Sequence, residues 1–122
     1  MTSPLILLVE PSLFVQHLIQ KNLHALEMCI HKTYTSGQAL LQKLPTHFDL
    51  LLIDYNLPDM NGLELAENVL QHLIYAKVVL LIPEHLSHES RDFIAHGIQA
   101  TLVKPFDEES LQRVLIESVA SV

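Results

Sequence analysis

Residues 50 to 58 read Leu50-Leu51-Leu52-Ile53-Asp54-Tyr55-Asn56-Leu57-Pro58. Four consecutive large apolar residues describe a strand buried on both faces, because a strand with one wet face alternates polar and apolar. An acid stands directly at the end of the run, and Pro58 marks a loop. Two other runs have the same form. Leu5-Ile6-Leu7-Leu8-Val9 is ended by Glu10 and Pro11, and Val78-Val79-Leu80-Leu81-Ile82 by Pro83. Met28 to Lys32 and Ala100 to Val103 are weaker strand candidates.

Amphipathic segments lie between the runs. Val15, Leu18, Ile19, Leu23 and Leu26 share one face of a first helix, and Ala39, Leu40 and Leu44 mark a short second one stopped by Pro45. Ala66, Val69, Leu70 and Leu73 step by three and four in a third helix, and Leu111, Val114, Leu115 and Val119 in a last one. Leu86 to His96 is polar apart from Leu86, Phe93 and Ile94, with Gly97 as its stop. Asn61 and Glu64 have the spacing of a capping box for the third helix. Asp107, Glu108 and Glu109 put negative charge where the last helix dipole favours it. The pattern is strand then helix, five times. It predicts an α/β domain, residues 1–122, whose parallel sheet is covered on both faces.

Composition narrows the chemistry. The chain has 122 residues, 49% hydrophobic and 17% charged, which suits one ordinary folded domain rather than a disordered one. Three glycines leave no glycine-rich phosphate loop. One cysteine, Cys29, excludes an internal disulfide; its apolar neighbours suggest a small core residue. Fourteen acids against 7 bases give a formal charge of −7, which opposes nucleic-acid binding by this domain. The apolar run at Leu5–Val9 is too short for a signal peptide or membrane span, so a reduced, cytoplasmic protein is expected.

In open α/β sheets the functional crevice lies beyond the C-terminal strand ends. Glu10, Asp54 and Lys104 all stand at such ends. Two carboxylates beside a lysine are able to bind a hard cation through oxygen. A carboxylate so placed is also able to attack a phosphoryl group while the cations neutralise the developing charge.

At these residues the chain resembles the receiver domains of response regulators. The segment Leu51-Leu52-Ile53-Asp54-Tyr55-Asn56-Leu57-Pro58-Asp59-Met60-Asn61-Gly62 is similar to their phosphoacceptor region, and Lys104-Pro105-Phe106 to their Lys-Pro motif. The resemblance spans essentially the whole chain. It implies a flavodoxin-like, doubly wound (βα)5 three-layer sandwich with parallel strand order 2-1-3-4-5. It implies that Asp54 accepts a phosphoryl group from a histidine kinase or phosphotransfer protein, and that Lys104 contacts that group. It implies Mg²⁺ held by Glu10, Asp54 and the backbone carbonyl of Asn56, a loop shaped by Pro58 and Gly62, and a cis Lys104–Pro105 bond. The face of the fourth helix, fifth strand and fifth helix is the implied surface for a protein partner or homodimer. The implied role is signalling, not enzymatic turnover.

Three positions depart from the pattern. Pro11 stands where a second acid normally ligates Mg²⁺, so metal binding is expected to be weakened. Ile82 replaces a Thr or Ser, and Thr101 an aromatic, so both switch positions are altered. These departures give an alternative: a pseudo-receiver that acts as a protein-interaction module without phosphorylation. A phosphohydrolase using Asp54 is a third reading. It is disfavoured because that class places its aspartate pair after the first strand. A calcium loop at Asp54, Asn56 and Asp59 fails, because Pro58 and Asp59 occupy positions that need an oxygen ligand and a glycine. Eight histidines match no zinc spacing and read as surface residues.

Overall fold

The computed structural model describes residues 3–120. Five strands, β1 (Ile6–Val9), β2 (Ile30–Tyr34), β3 (Leu50–Asp54), β4 (Val78–Pro83) and β5 (Ala100–Lys104), form one parallel sheet in the order β2-β1-β3-β4-β5. Five helices accompany them: α1 (Leu13–Ala25), α2 (Gly37–Leu41), α3 (Gly62–His72), α4 (Ser90–Ala95) and α5 (Glu108–Ala120).

The uninterrupted apolar runs are explained by the layers. Ile6, Leu8, Leu50 and Leu52 face α1 and α5, where they pack with Ile19, Leu23, Leu111 and Leu115. Their neighbours Leu7, Val9, Leu51 and Ile53 point to the other face, against Leu40, Leu65, Ala66, Val69 and Phe93 of α2, α3 and α4. Side chains alternate across a strand, so a sheet buried on both sides needs apolar residues at every position.

Most helices begin with a side-chain cap just past a strand end. Ser12, Ser36 and Asn61 accept from the backbone N–H groups of Val15, Ala39 and Glu64, and Asp107 accepts from Ser110 at 2.7 Å. Gly97, at φ 97°, ends the fourth helical segment.

Four expectations need correction. The second strand starts at Ile30, not Met28. The chain leaves α1 through a turn with Glu27 at φ 59° and Met28 N–H bonded to the Leu23 carbonyl, which uses up residues 26–29. Cys29 therefore lies outside the strand and is exposed, not a core residue. The second helix ends at Leu41, although Leu44 still packs against the core. The segment after β4 is a 3-10 turn, Glu84–Glu89, followed by the short α4.

Candidate functional site

β1 and β3 are neighbours, and the strand order reverses between them. Val9 is in register with Ile53, so the next residues, Glu10 and Asp54, emerge side by side at that reversal. Lys104 ends β5, two strands away from β3, and its side chain reaches back across the sheet edge. Its ammonium lies 2.8 Å from Glu10 Oε1 and 3.0 Å from Asp54 Oδ1. The three charged residues expected at the strand ends thus meet in one cluster. The Lys104–Pro105 bond is cis.

Glu10 is 1% and Asp54 5% exposed. A carboxylate this far from water is costly unless it is paired. Burial pushes the Glu10 pKa above its ordinary 4.5, and the nearby Asp54 charge adds to the rise; the Lys104 hydrogen bond opposes it. The other Glu10 oxygen, Oε2, accepts the Ser12 N–H at 3.1 Å. Its backbone is pinned as well. Glu10 N–H donates to the Tyr34 carbonyl at 2.9 Å, and the Gln16 side-chain amide donates to the Glu10 carbonyl at 2.7 Å.

The loop after β3 is moored on both sides. Tyr55 N–H donates to the Leu81 carbonyl at 2.8 Å, and the Tyr55 carbonyl accepts from Gly62 N–H at 2.7 Å. Asn56 forms an antiparallel bridge with Asn61. A Cβ at Gly62 would lie 2.5 Å from the Asp54 carbonyl oxygen and 2.8 Å from Tyr55 Cα, so only glycine fits. Asp59 accepts from the N–H groups of Gly37 and Gln38, both at 2.9 Å, and those bonds hold its pKa below the ordinary carboxylate value. This clamp onto α2 was missed from sequence, because its partners lie 22 and 21 residues away. The Gln16 bond was missed for a similar reason: no motif announces it.

Pro11 is exposed beside this cluster and offers no side-chain oxygen. An open groove of about 470 Å³, lined by Pro11, Tyr55, Asn56, Leu57, Pro58, Met60 and Asn61, runs past it. Ile82 is fully buried in the core on the α3 side. Thr101 is half-buried, and its hydroxyl donates to Ser90 Oγ at 2.9 Å. All eight histidines are exposed, and no group of three or more His, Cys, Asp or Glu able to hold a metal occurs among the described residues.

The family model for the response regulator receiver domain matches residues 6–116. The chain belongs to that family. This receiver domain is 27% identical over 110 residues to the response regulator ArlR of Staphylococcus saprophyticus, covering 89% of this chain and 50% of that protein. It is 34% identical over 95 residues to the sensor histidine kinase AruS of Pseudomonas aeruginosa, covering 71% of this chain and 9% of that protein. The chain therefore spans half the length or less of these curated relatives. Its fold matches the non-phosphorylated HemR receiver domain from Leptospira biflexa with TM-score 0.87 at 22% identity, covering 98% and 97% of the two chains. Receiver domains accept phosphoryl groups in two-component signalling, interact with histidine kinases and phosphotransfer proteins, and generally use Mg²⁺. Among the described residues, no helix of this one is long and apolar enough to cross a membrane.

Proposed function

We propose that residues 1–122 form one cytoplasmic receiver domain of a phosphorelay, and that Asp54 accepts the phosphoryl group from a histidine kinase or phosphotransfer protein. The observation that supports this most is the bridge from Lys104 to both Glu10 and Asp54 at 2.8 and 3.0 Å. Phosphorylation of a carboxylate adds negative charge at its oxygen. A cation already within 3.0 Å, at the end of a sheet strand, is set to contact that charge with little reorganisation. Asp54 is the nucleophile in this reading, and Lys104 the group that contacts the transferred phosphoryl oxygens. Glu10 holds Lys104 in place when no phosphoryl group is bound. The reading is of a signalling module rather than an enzyme with turnover.

Mg²⁺ takes one or two carboxylates and keeps several waters. Glu10 and Asp54, with the Asn56 carbonyl, supply that minimum, so the donor set fits the ion weakly. When bound, the metal neutralises charge on the phosphoryl oxygens. Two features of this chain act against its binding. Pro11 contributes no ligand, and the Lys104 ammonium already contacts both carboxylates. Losing one unit charge about 4 Å from a cation forfeits up to about 4 kcal/mol at an effective dielectric near 20.

A second reading has specific support. Ile82, fully buried, has no hydroxyl to bond a phosphoryl oxygen, which forgoes about 1.5–3 kcal/mol of charge-assisted bonding. That favours a pseudo-receiver docking partners without phosphorylation, through the face made by α4, β5 and α5 or another surface. Beryllofluoride, a mimic of the aspartyl-phosphate group, separates the two. In Mg²⁺ it should produce a bound ¹⁹F signal in the wild type and none in Asp54→Asn. A wild type that gives no bound signal at saturating Mg²⁺ would select the pseudo-receiver.

A further inference from the structure

Among the described residues, the stretch from Glu84 to Ala95 buries less of itself than any other helical part. Its 3-10 turn buries no residue, and α4 buries one, Phe93. Neither piece has a side-chain cap at its start. Such segments sit at the low-stability end of a fold, where two arrangements can lie close in free energy.

Leu86 and Phe93 pack into the core on this side of the sheet, and two specific side-chain contacts moor the segment to other elements. The Phe93 ring packs against that of Tyr55, with centroids 6.0 Å apart and planes at 48°. Ser90 Oγ accepts from the Thr101 hydroxyl at 2.9 Å and donates to the Ser87 carbonyl at 3.0 Å. The two moorings differ in what they are attached to. Thr101 belongs to β5 and is fixed by the sheet. Tyr55 is the residue after Asp54, and its backbone is bonded on both sides, to Leu81 and to Gly62. A displacement at Asp54 therefore reaches the Tyr55 ring through one stiff peptide. The Ile82 side chain has no polar atom with which to follow a change in charge, and the Thr101 hydroxyl is already engaged.

We propose that the Tyr55–Phe93 ring contact carries a change of state at Asp54 to the Glu84–Ala95 segment, with the Ser90–Thr101 bond as the stationary pivot. The inference rests on Asp54 being the group that changes state, but its test needs no phosphorylation. A coupling claim requires that perturbing the intermediate contact abolish the effect, not that the contact merely lie between the sites.

The test is amide hydrogen exchange of residues 84–95 in the full chain, normalised to α5. Four proteins are compared: wild type, Asp54→Ala, Phe93→Leu and the double variant. Asp54→Ala removes one of the two partners of Lys104 and should change exchange in the segment about threefold or more. In the Phe93→Leu background the same substitution should change it by less than about half as much again. Tyr55→Leu, on the other side of the contact, should abolish the effect equally. Ser90→Ala should speed exchange of the segment yet leave the Asp54→Ala effect standing. The proposal is overturned if Asp54→Ala has no effect in the wild type, if the effect survives both Phe93→Leu and Tyr55→Leu, or if Ser90→Ala alone removes it. Beryllofluoride binding reports on the acceptor role separately, so failure of either idea is visible without the other.

Discussion

Replacing Lys104 by methionine keeps the unbranched stem out to Cε and removes the charge between Glu10 and Asp54. Both carboxylates then face each other with no cation, one 1% and the other 5% exposed. Removing one partner from a buried ion pair costs about 3–5 kcal/mol, because the charge left behind stays desolvated. Lys104 keeps 24% of its side chain in water, and solvent screening brings the cost below that range, to about 2–4 kcal/mol. At roughly 4 °C per kcal/mol for a chain of this length, the Tm should fall by about 8 to 16 °C at pH 8. The sign of the pH dependence follows from protonation. Glu10 already has its folded pKa above 4.5, and losing the lysine raises it further. A carboxyl with a raised folded pKa binds more protons folded than unfolded, so stability falls as pH climbs from about 4.5 through the folded value. The loss should therefore be largest at pH 8 and shrink towards pH 5. Thermal unfolding by circular dichroism at the two pH values decides it. A fall of less than 3 °C at pH 8, or an equal fall at both pH values, would mean that Lys104 does not neutralise a buried carboxylate pair.

Pro11→Asp should lower the Kd for Mg²⁺ at least tenfold by calorimetric titration, since one added carboxylate is worth up to about 4 kcal/mol at this range; an unchanged Kd sinks the account of the weakened site. Gly62→Ala forces a Cβ against the Asp54 carbonyl and Tyr55 Cα, both backbone, and should cost about 1–3 kcal/mol in denaturant unfolding. A neutral outcome would mean the loop after β3 yields more readily than its hydrogen bonds imply. Asp59→Asn removes the carboxylate that accepts from Gly37 and Gln38 N–H. Because the folded pKa of Asp59 is depressed, its contribution is present above about pH 3.8 and is lost as pH falls through the folded value. The variant should melt lower at pH 7 and together with the wild type in strong acid; a constant difference would count against the clamp.

Three long apolar runs announced β1, β3 and β4, because a strand buried on both faces has no room for polar residues. The charged cluster was legible for the same reason: Glu10 and Asp54 follow two of those runs directly, and Lys104 follows the weaker fifth. The strand order came from the resemblance to receiver domains, since hydrophobic periodicity carries no information about which strands are neighbours. The start of β2 was misplaced because an αL turn at Glu27 consumed residues that look apolar enough for a strand. The fourth helical segment lacked a periodic face because only Phe93 is buried in it. Asp59, Gln16 and the Ser90–Thr101 pair act through bonds to backbone or hydroxyl groups elsewhere in the chain. Such contacts leave no pattern in the linear sequence.

The acceptor role proposed for Asp54 has to operate despite Pro11 and Ile82. Intact mass after incubation with acetyl phosphate and excess Mg²⁺ tests it most directly, with Asp54→Asn alongside. A hydroxylamine-labile adduct of one phosphoryl group is expected on the wild type and none on the variant. An unmodified wild type, or an equal adduct on both proteins, would contradict it.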